Sequence, residues 1–168
     1  PMDEQATSEA IYQNIEDRSK AYKTTQDKND LKIAVCVAGF TGIELLGELT
    51  QSLPKLQAKY QTPAIKLVCL ERMPSILPMF TQELRDYALK FMEKHDVEMR
   101  LGSIIEAIKP GTVVYSDTDK QEHEFTANTI IWTVGVSGSH VIADSGFEQR
   151  RNRVVVKPDL SLDDHPEV

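Results

Sequence analysis

The stretch "IAVCVAGFTGIELLGEL", Ile33 to Leu49, has the order of apolar run, glycine-containing turn and amphipathic run that a dinucleotide-binding G-x-G-x-x-G turn requires. Gly39 and Gly42 fill the second and third glycine places, and Val37 stands in the first. The second glycine lets the backbone approach a pyrophosphate and the third lets helix and strand pack closely. The anion would then lie over the helix N-terminus, where free N–H groups and the positive end of the dipole favour it. A β-branched residue is a poor occupant of positive φ and would cost roughly 1–2 kcal/mol there. If φ is negative there, the valine is merely bulky but still crowds the neighbouring crossover; on either account Val37 is expected to weaken nucleotide binding modestly, and Val37→Gly to tighten it.

A second apolar run, "AIKLVCL", ends in Glu71, 29 residues after Gly42. An acidic group at the tip of that strand can accept the adenosine ribose hydroxyls and repel a 2′-phosphate, which favours NAD over NADP, although Arg72 stands beside it. Gly135, closing "NTIIWTVG", and Glu44, one turn into the helix, are expected at the same carboxyl edge of the sheet. Each also has a plainer account, a strand-end turn for Gly135 and a solvated carboxylate near a helix start for Glu44.

Of the elements that place these residues, 8–23 carries Ile11, Tyr12, Ile15 and Tyr22 at helical spacing, with Ser8 as a candidate N-cap. Leu31 to Val37 reads as a strand buried on both faces. The helix after Gly42 ends near Leu53-Pro54 or continues through "KLQAKY". Another helix spans Thr81–Lys94, capped by Thr81, with Glu83 in its first turn and Asp96 in a left-handed closing turn. "VEMRL" follows as a third strand, then "IIEAI", "TVVYS" and "HEFTA" as an antiparallel meander, then the core strand in "NTIIWTVG", and "RVVVK" before a polar tail. This order predicts an α/β, Rossmann-like, doubly wound parallel sheet whose last crossover is a β-meander.

The chain has 168 residues, 40% hydrophobic and 27% charged, enough for one core without disulfides or metals. A net charge of −7 argues against a nucleic-acid surface. No apolar run is long enough to span a bilayer, and "PMDEQATSEA" does not resemble a signal peptide. Cys36 and Cys69 sit in apolar runs and read as buried hydrophobes; without C-x-x-C there is no redox-pair or zinc spacing. His95, His123, His140 and His165 are too dispersed for a metal site, so none is expected.

With these residues placed, the chain resembles the NADH-binding domain of the type II NADH dehydrogenases, single-subunit, FAD-dependent NADH:quinone oxidoreductases. The resemblance rests on "AGFTGIELLGEL", "ILPMFTQELRDYALKFMEKHDVEMRLG", "NTIIWTVGV" and "SGFEQRRNRVVVKPDLSL", in the family's order and over nearly the whole chain. It implies the two-dinucleotide-binding flavoprotein architecture, with an NADH domain inserted in an FAD domain and a C-terminal region attaching the enzyme to the membrane. It also implies an excised piece: residues 1–30 an N-terminal helix and linker, 31–157 the NAD(H)-binding domain, 158–168 a polar tail leading back to the FAD domain.

By the same resemblance Gly39, Phe40, Thr41 and Gly42 cradle the NADH pyrophosphate, Glu71 holds the adenosine ribose, Gly135 lies by the nicotinamide, and Glu44 matches a glutamate near nicotinamide and flavin. NADH would pass a hydride to FAD, and the reduced flavin would reduce a quinone. The whole enzyme is then expected to be cytoplasmic and peripheral on the inner face of the cell membrane, with this piece soluble and a homodimer possible through the exposed FAD-domain face. Val37 and Asp96 both stand where the family has glycine. Two alternatives stay open: a related flavoprotein reductase with another electron acceptor, and a degenerate nucleotide-sensing or interaction domain.

Overall fold

In a computed structural model of the chain, the described residues are 5–133, 138–162 and 165. They divide between two compact units, Pro1–Val134 and Gly135–Val168. The first contains α1 (Gln5–Thr25), a 3₁₀ turn (Lys28–Leu31), β1 (Lys32–Cys36), α2 (Phe40–Tyr60), β2 (Lys66–Glu71), α3 (Gln82–Lys94) and β3 (Val97–Leu101). The meander β4 (Ile104–Lys109), β5 (Thr112–Ser116) and β6 (Glu122–Thr126) follows, and then β7 (Thr129–Trp132).

The main sheet has the order β3-β2-β1-β7, and every neighbouring pair is parallel. β1 is thus a central strand, with β2 on one side and β7, reached through the meander, on the other. Strand order reverses at β1, so the crevice beyond its carboxyl end is the topological switch point where open α/β sheets bind ligands.

Burial explains why β1 and β2 read as unbroken apolar runs. Alternate side chains enter two separate cores. Ile33, Val35, Leu67 and Cys69 pack with Leu46, Leu49 and Leu53 of α2, while Ala34, Cys36, Val68 and Leu70 pack with Val113, Tyr115 and Phe125 of the meander. Each such buried branched side chain contributes about 1.5–3 kcal/mol. The meander is a separate antiparallel sheet laid over the face that the helices leave open.

Cys36 and Cys69, on adjacent strands, therefore lie on opposite faces of the sheet and are both free. Burial pushes the Cys36 thiol up to about 11. Burial, then the charge of Glu71 and the neighbouring Cys36, pushes Cys69 up to about 12. Neither is a thiolate at neutral pH, as expected of small buried hydrophobes.

Several local expectations are corrected. Ser8 lies within α1 and does not cap it, because the helix already includes Gln5. Thr81 occupies the N-cap position of α3, but its side chain makes no capping hydrogen bond. Of the two lengths open for α2, the longer occurs. The helix runs through Pro54 to Tyr60, and its first residue is Phe40. Asp96 does take the left-handed conformation, with φ +57°. "RVVVK" joins neither sheet; in the second unit, which also holds the short helix α4 (His140–Ala143), Val154 makes an isolated bridge with Gln149.

Within the first unit α1 buries Ile15 in the core beside α2 and adds polar contacts. Lys59 and Tyr60 of α2 both donate to the Glu16 carboxylate, and Asn14 accepts from the Thr129 hydroxyl of β7. Buried Asp30 accepts from Thr25 and Asn128, both at 2.7 Å, and pairs with Arg18. Burial alone would raise its pKa, but these donors and the Arg18 charge hold it below the usual carboxylate range.

Candidate nucleotide-binding site

The site is built from the loop after β1. Val37 has φ +84°, so the first glycine place does require positive φ, and here a β-branched residue occupies it. The carbonyl of Val37 lies where a Cβ on Gly42 would meet it at 2.0 Å; only glycine fits there, the close strand–helix approach assigned to the third glycine. Gly39 is the N-cap of α2 in extended conformation, with open space around it.

Phe40, Thr41 and Gly42 form the first turn of α2, where backbone N–H groups have no intrahelical acceptor. No acidic side chain sits in that turn, so the positive end of a 21-residue helix is not offset from within it. The arrangement can hold a pyrophosphate by backbone donors alone.

Glu71 ends β2 and is buried, 6% exposed. Its two carboxylate oxygens accept the N–H groups of Ala38 and Met73, each at 2.7 Å. It therefore ties the glycine-rich turn to the tip of β2. A carboxylate has about four acceptor positions, so ribose hydroxyls can still be received alongside the two backbone donors. Glu71 borders a cleft of about 170 Å³ together with Val37, Gly39, Phe40, Met73 and Leu77. That is below the roughly 300–1,000 Å³ of a whole ligand pocket, so the cleft has room for no more than part of a ligand of that size. At its rim exposed Phe40 meets exposed Phe80 edge to face, with ring centroids 5.7 Å apart.

The sequence-predicted residues Gly39, Phe40, Thr41, Gly42 and Glu71 thus come together around one loop. Glu44 is exposed on the next turn of α2 and borders a groove of about 280 Å³ between α1 and α2, with Ile11, Tyr12, Leu45 and Glu48. Gly135 lies outside the described residues. Among the described residues no cluster of metal-ligating side chains occurs. His123 is structural, bonded to Asp117 and stacked on Tyr115.

Thr133, just past β7, was not anticipated. Its backbone N–H donates to Cys36 O at 3.2 Å, and its hydroxyl lies 2.7 Å from Cys36 O and 2.8 Å from Val37 O. The signal was a threonine inside "IIWTVG", meaningful only once β7 is known to lie beside β1.

A parallel sheet, a glycine-rich turn opening a helix at its switch point and an acid at the tip of the next strand define a dinucleotide-binding fold. Residues 5–168 match the family described as pyridine nucleotide-disulphide oxidoreductase, and the chain belongs to that family. It is 39% identical over 167 residues to a type II NADH:quinone oxidoreductase of Staphylococcus epidermidis, covering 96% of this chain and 41% of that protein. A type II NADH:quinone oxidoreductase of Staphylococcus aureus is 36% identical with the same coverage. The chain thus spans about two fifths of the length of these relatives.

Among solved structures, NDH2 from Plasmodium falciparum in complex with NADH superposes with a TM-score of 0.70 at 18% identity, over 77% of this chain and 28% of that one. The sulfide:quinone oxidoreductase of Aquifex aeolicus shares the fold more distantly, at a TM-score of 0.52 and 19% identity, over 68% of this chain and 28% of that one. Both likenesses bear on the fold.

Proposed function

We propose that this chain is the NADH-binding region of a type II NADH:quinone oxidoreductase. The observation that carries the proposal is the loop itself: positive φ at residue 37, closest approach at Gly42, an open N-cap at Gly39 and Glu71 at the tip of β2. The identity of 36–39% to relatives of that name supports it.

The N–H groups of Phe40, Thr41 and Gly42 hold the NADH pyrophosphate, and Glu71 receives the adenosine ribose and disfavours a 2′-phosphate. Gly135 and Glu44 are assigned to the nicotinamide side, Glu44 as a positioning or proton-handling group. The described residues carry one glycine-rich strand–turn–helix, which fits one dinucleotide. An FAD would be held by other segments of the whole protein, where it accepts the hydride of NADH. This chain's part is to bind and orient the donor, a contribution of positioning and electrostatics.

The boundaries 31–157 for the nucleotide domain and 158–168 for the return to the FAD domain belong to the same proposal. So do the quinone, the placement on the inner face of the cell membrane and a homodimer. No helix among the described residues is long and apolar enough to cross a membrane.

The strained valine favours a second reading, a degenerate domain that has lost NADH. Calorimetric titration separates the two. Saturable binding of NADH, weaker for NADPH, is expected. Absence of binding both in the chain and in its Val37→Gly variant would overturn the NADH assignment.

A further inference from the structure

Val37 is held at a backbone conformation that its side chain disfavours, and such residues persist only where the surroundings over-determine them. The two peptide groups on either side of it show how. In the 36–37 peptide, the N–H of Val37 donates to Leu70 O at 2.8 Å, and the carbonyl of Cys36 accepts from both the N–H and the hydroxyl of Thr133. In the 37–38 peptide, the N–H of Ala38 donates to Glu71, and the carbonyl of Val37 lies 2.8 Å from the Thr133 hydroxyl, whose single proton is shared between it and Cys36 O. The orientation of the first peptide sets φ of Val37, and that of the second sets ψ. Both carbonyls are within reach of one hydroxyl, supplied from β7.

We infer that Thr133 is a positioning residue for NADH binding: its hydroxyl clamps the strained Val37 turn so that Gly39 and the first turn of α2 stay aimed at the pyrophosphate. The inference rests on the NADH reading above. A glycine at position 37 adopts positive φ without strain and has little need of the clamp, so the importance of the hydroxyl depends on the valine. The hydroxyl also lies 3.2 Å from where a Gly42 Cβ would be, so the absence of a side chain at Gly42 leaves it space.

The test is a cycle of Thr133→Val, Val37→Gly and the double variant, with Thr133→Ser as the conservative control, each titrated with NADH. Thr133→Val is expected to weaken NADH binding about fivefold to tenfold, the range of one hydrogen bond. In the Val37→Gly background the same change is expected to cost less than about twofold. Thr133→Ser, which keeps the hydroxyl, is expected to retain binding. Equal losses in both backgrounds, or no loss in either, would overturn the inference. Urea unfolding of the parent chain, the Thr133→Val and Val37→Gly variants and the double variant reads the clamp without nucleotide: coupling in unfolding but none in affinity would confine Thr133 to stability and overturn its positioning role. If the chain and every variant fail to bind NADH, the functional reading falls and takes the positioning role with it, a pattern distinct from NADH binding that ignores Thr133.

Discussion

Val37 and Asp96 both hold positive φ, at +84° and +57°, and both stand where the type II family is expected to have glycine, yet the protein treats them differently. Asp96 is exposed after α3, in the centre of the left-handed region, and its N–H closes the helix onto Glu93 O. Aspartate visits that region more readily than most residues, so the turn needs little outside help. Val37 is half-buried at a value that β-branched residues avoid. Its two peptides are held from the tips of both neighbouring strands. The same departure from glycine is local at one place and depends on three strands at the other.

The contrast is broken most severely by Gly42→Ala. A methyl group at 2.0 Å from the Val37 carbonyl cannot be accommodated by a flexible side chain, because the opposing atom is pinned backbone. Loss of about 3 kcal/mol or more is expected, read as a fall in the urea midpoint, together with loss of NADH binding. A stable variant with normal affinity would mean that the turn is not held as described.

Val37→Gly comes next. Release of strain, partly offset by the greater freedom of glycine in the unfolded chain, should stabilise by about 1 kcal/mol in the same assay. Destabilisation would show that the valine side chain contributes more by packing than its backbone costs.

Asp96→Gly should have the smallest effect, within about 0.5 kcal/mol, with NADH affinity unchanged. A change in affinity there would remove the distinction between the two turns.

Much of this architecture was legible in the sequence for a physical reason. Parallel strands covered on both faces must be apolar throughout, so "IAVCV" and "KLVCL" declared themselves, and Gly39, Gly42 and Glu71 followed from the turn between them. The sign of φ at residue 37 was not legible, because valine leaves both a strained and an ordinary turn open; only the backbone geometry decides for +84°. Nor was Thr133. Its contact joins residues 96 apart, and no local periodicity encodes which strand becomes the neighbour of β1. The caps failed for a related reason: Ser8 and Thr81 have the right type, but the helix bounds and side-chain geometry are settled by packing. The double engagement of Glu71 was equally hidden, since its residue type announces an acceptor but not that backbone donors of its own fold reach it first.

The separation of Thr133 from the turn it holds bears on how the chain acquires its shape. β1 and β2 can pair early, but β7 reaches β1 only after three meander strands have intervened. Closing so distant a contact costs chain entropy before it returns any stability, the circumstance that slows folding of parallel sheets. During synthesis, the loop after β1 emerges long before its last support. Until β7 docks, the turn is held from β2 alone, through Leu70 O and Glu71, and the carbonyls of Cys36 and Val37 lack the donors of Thr133.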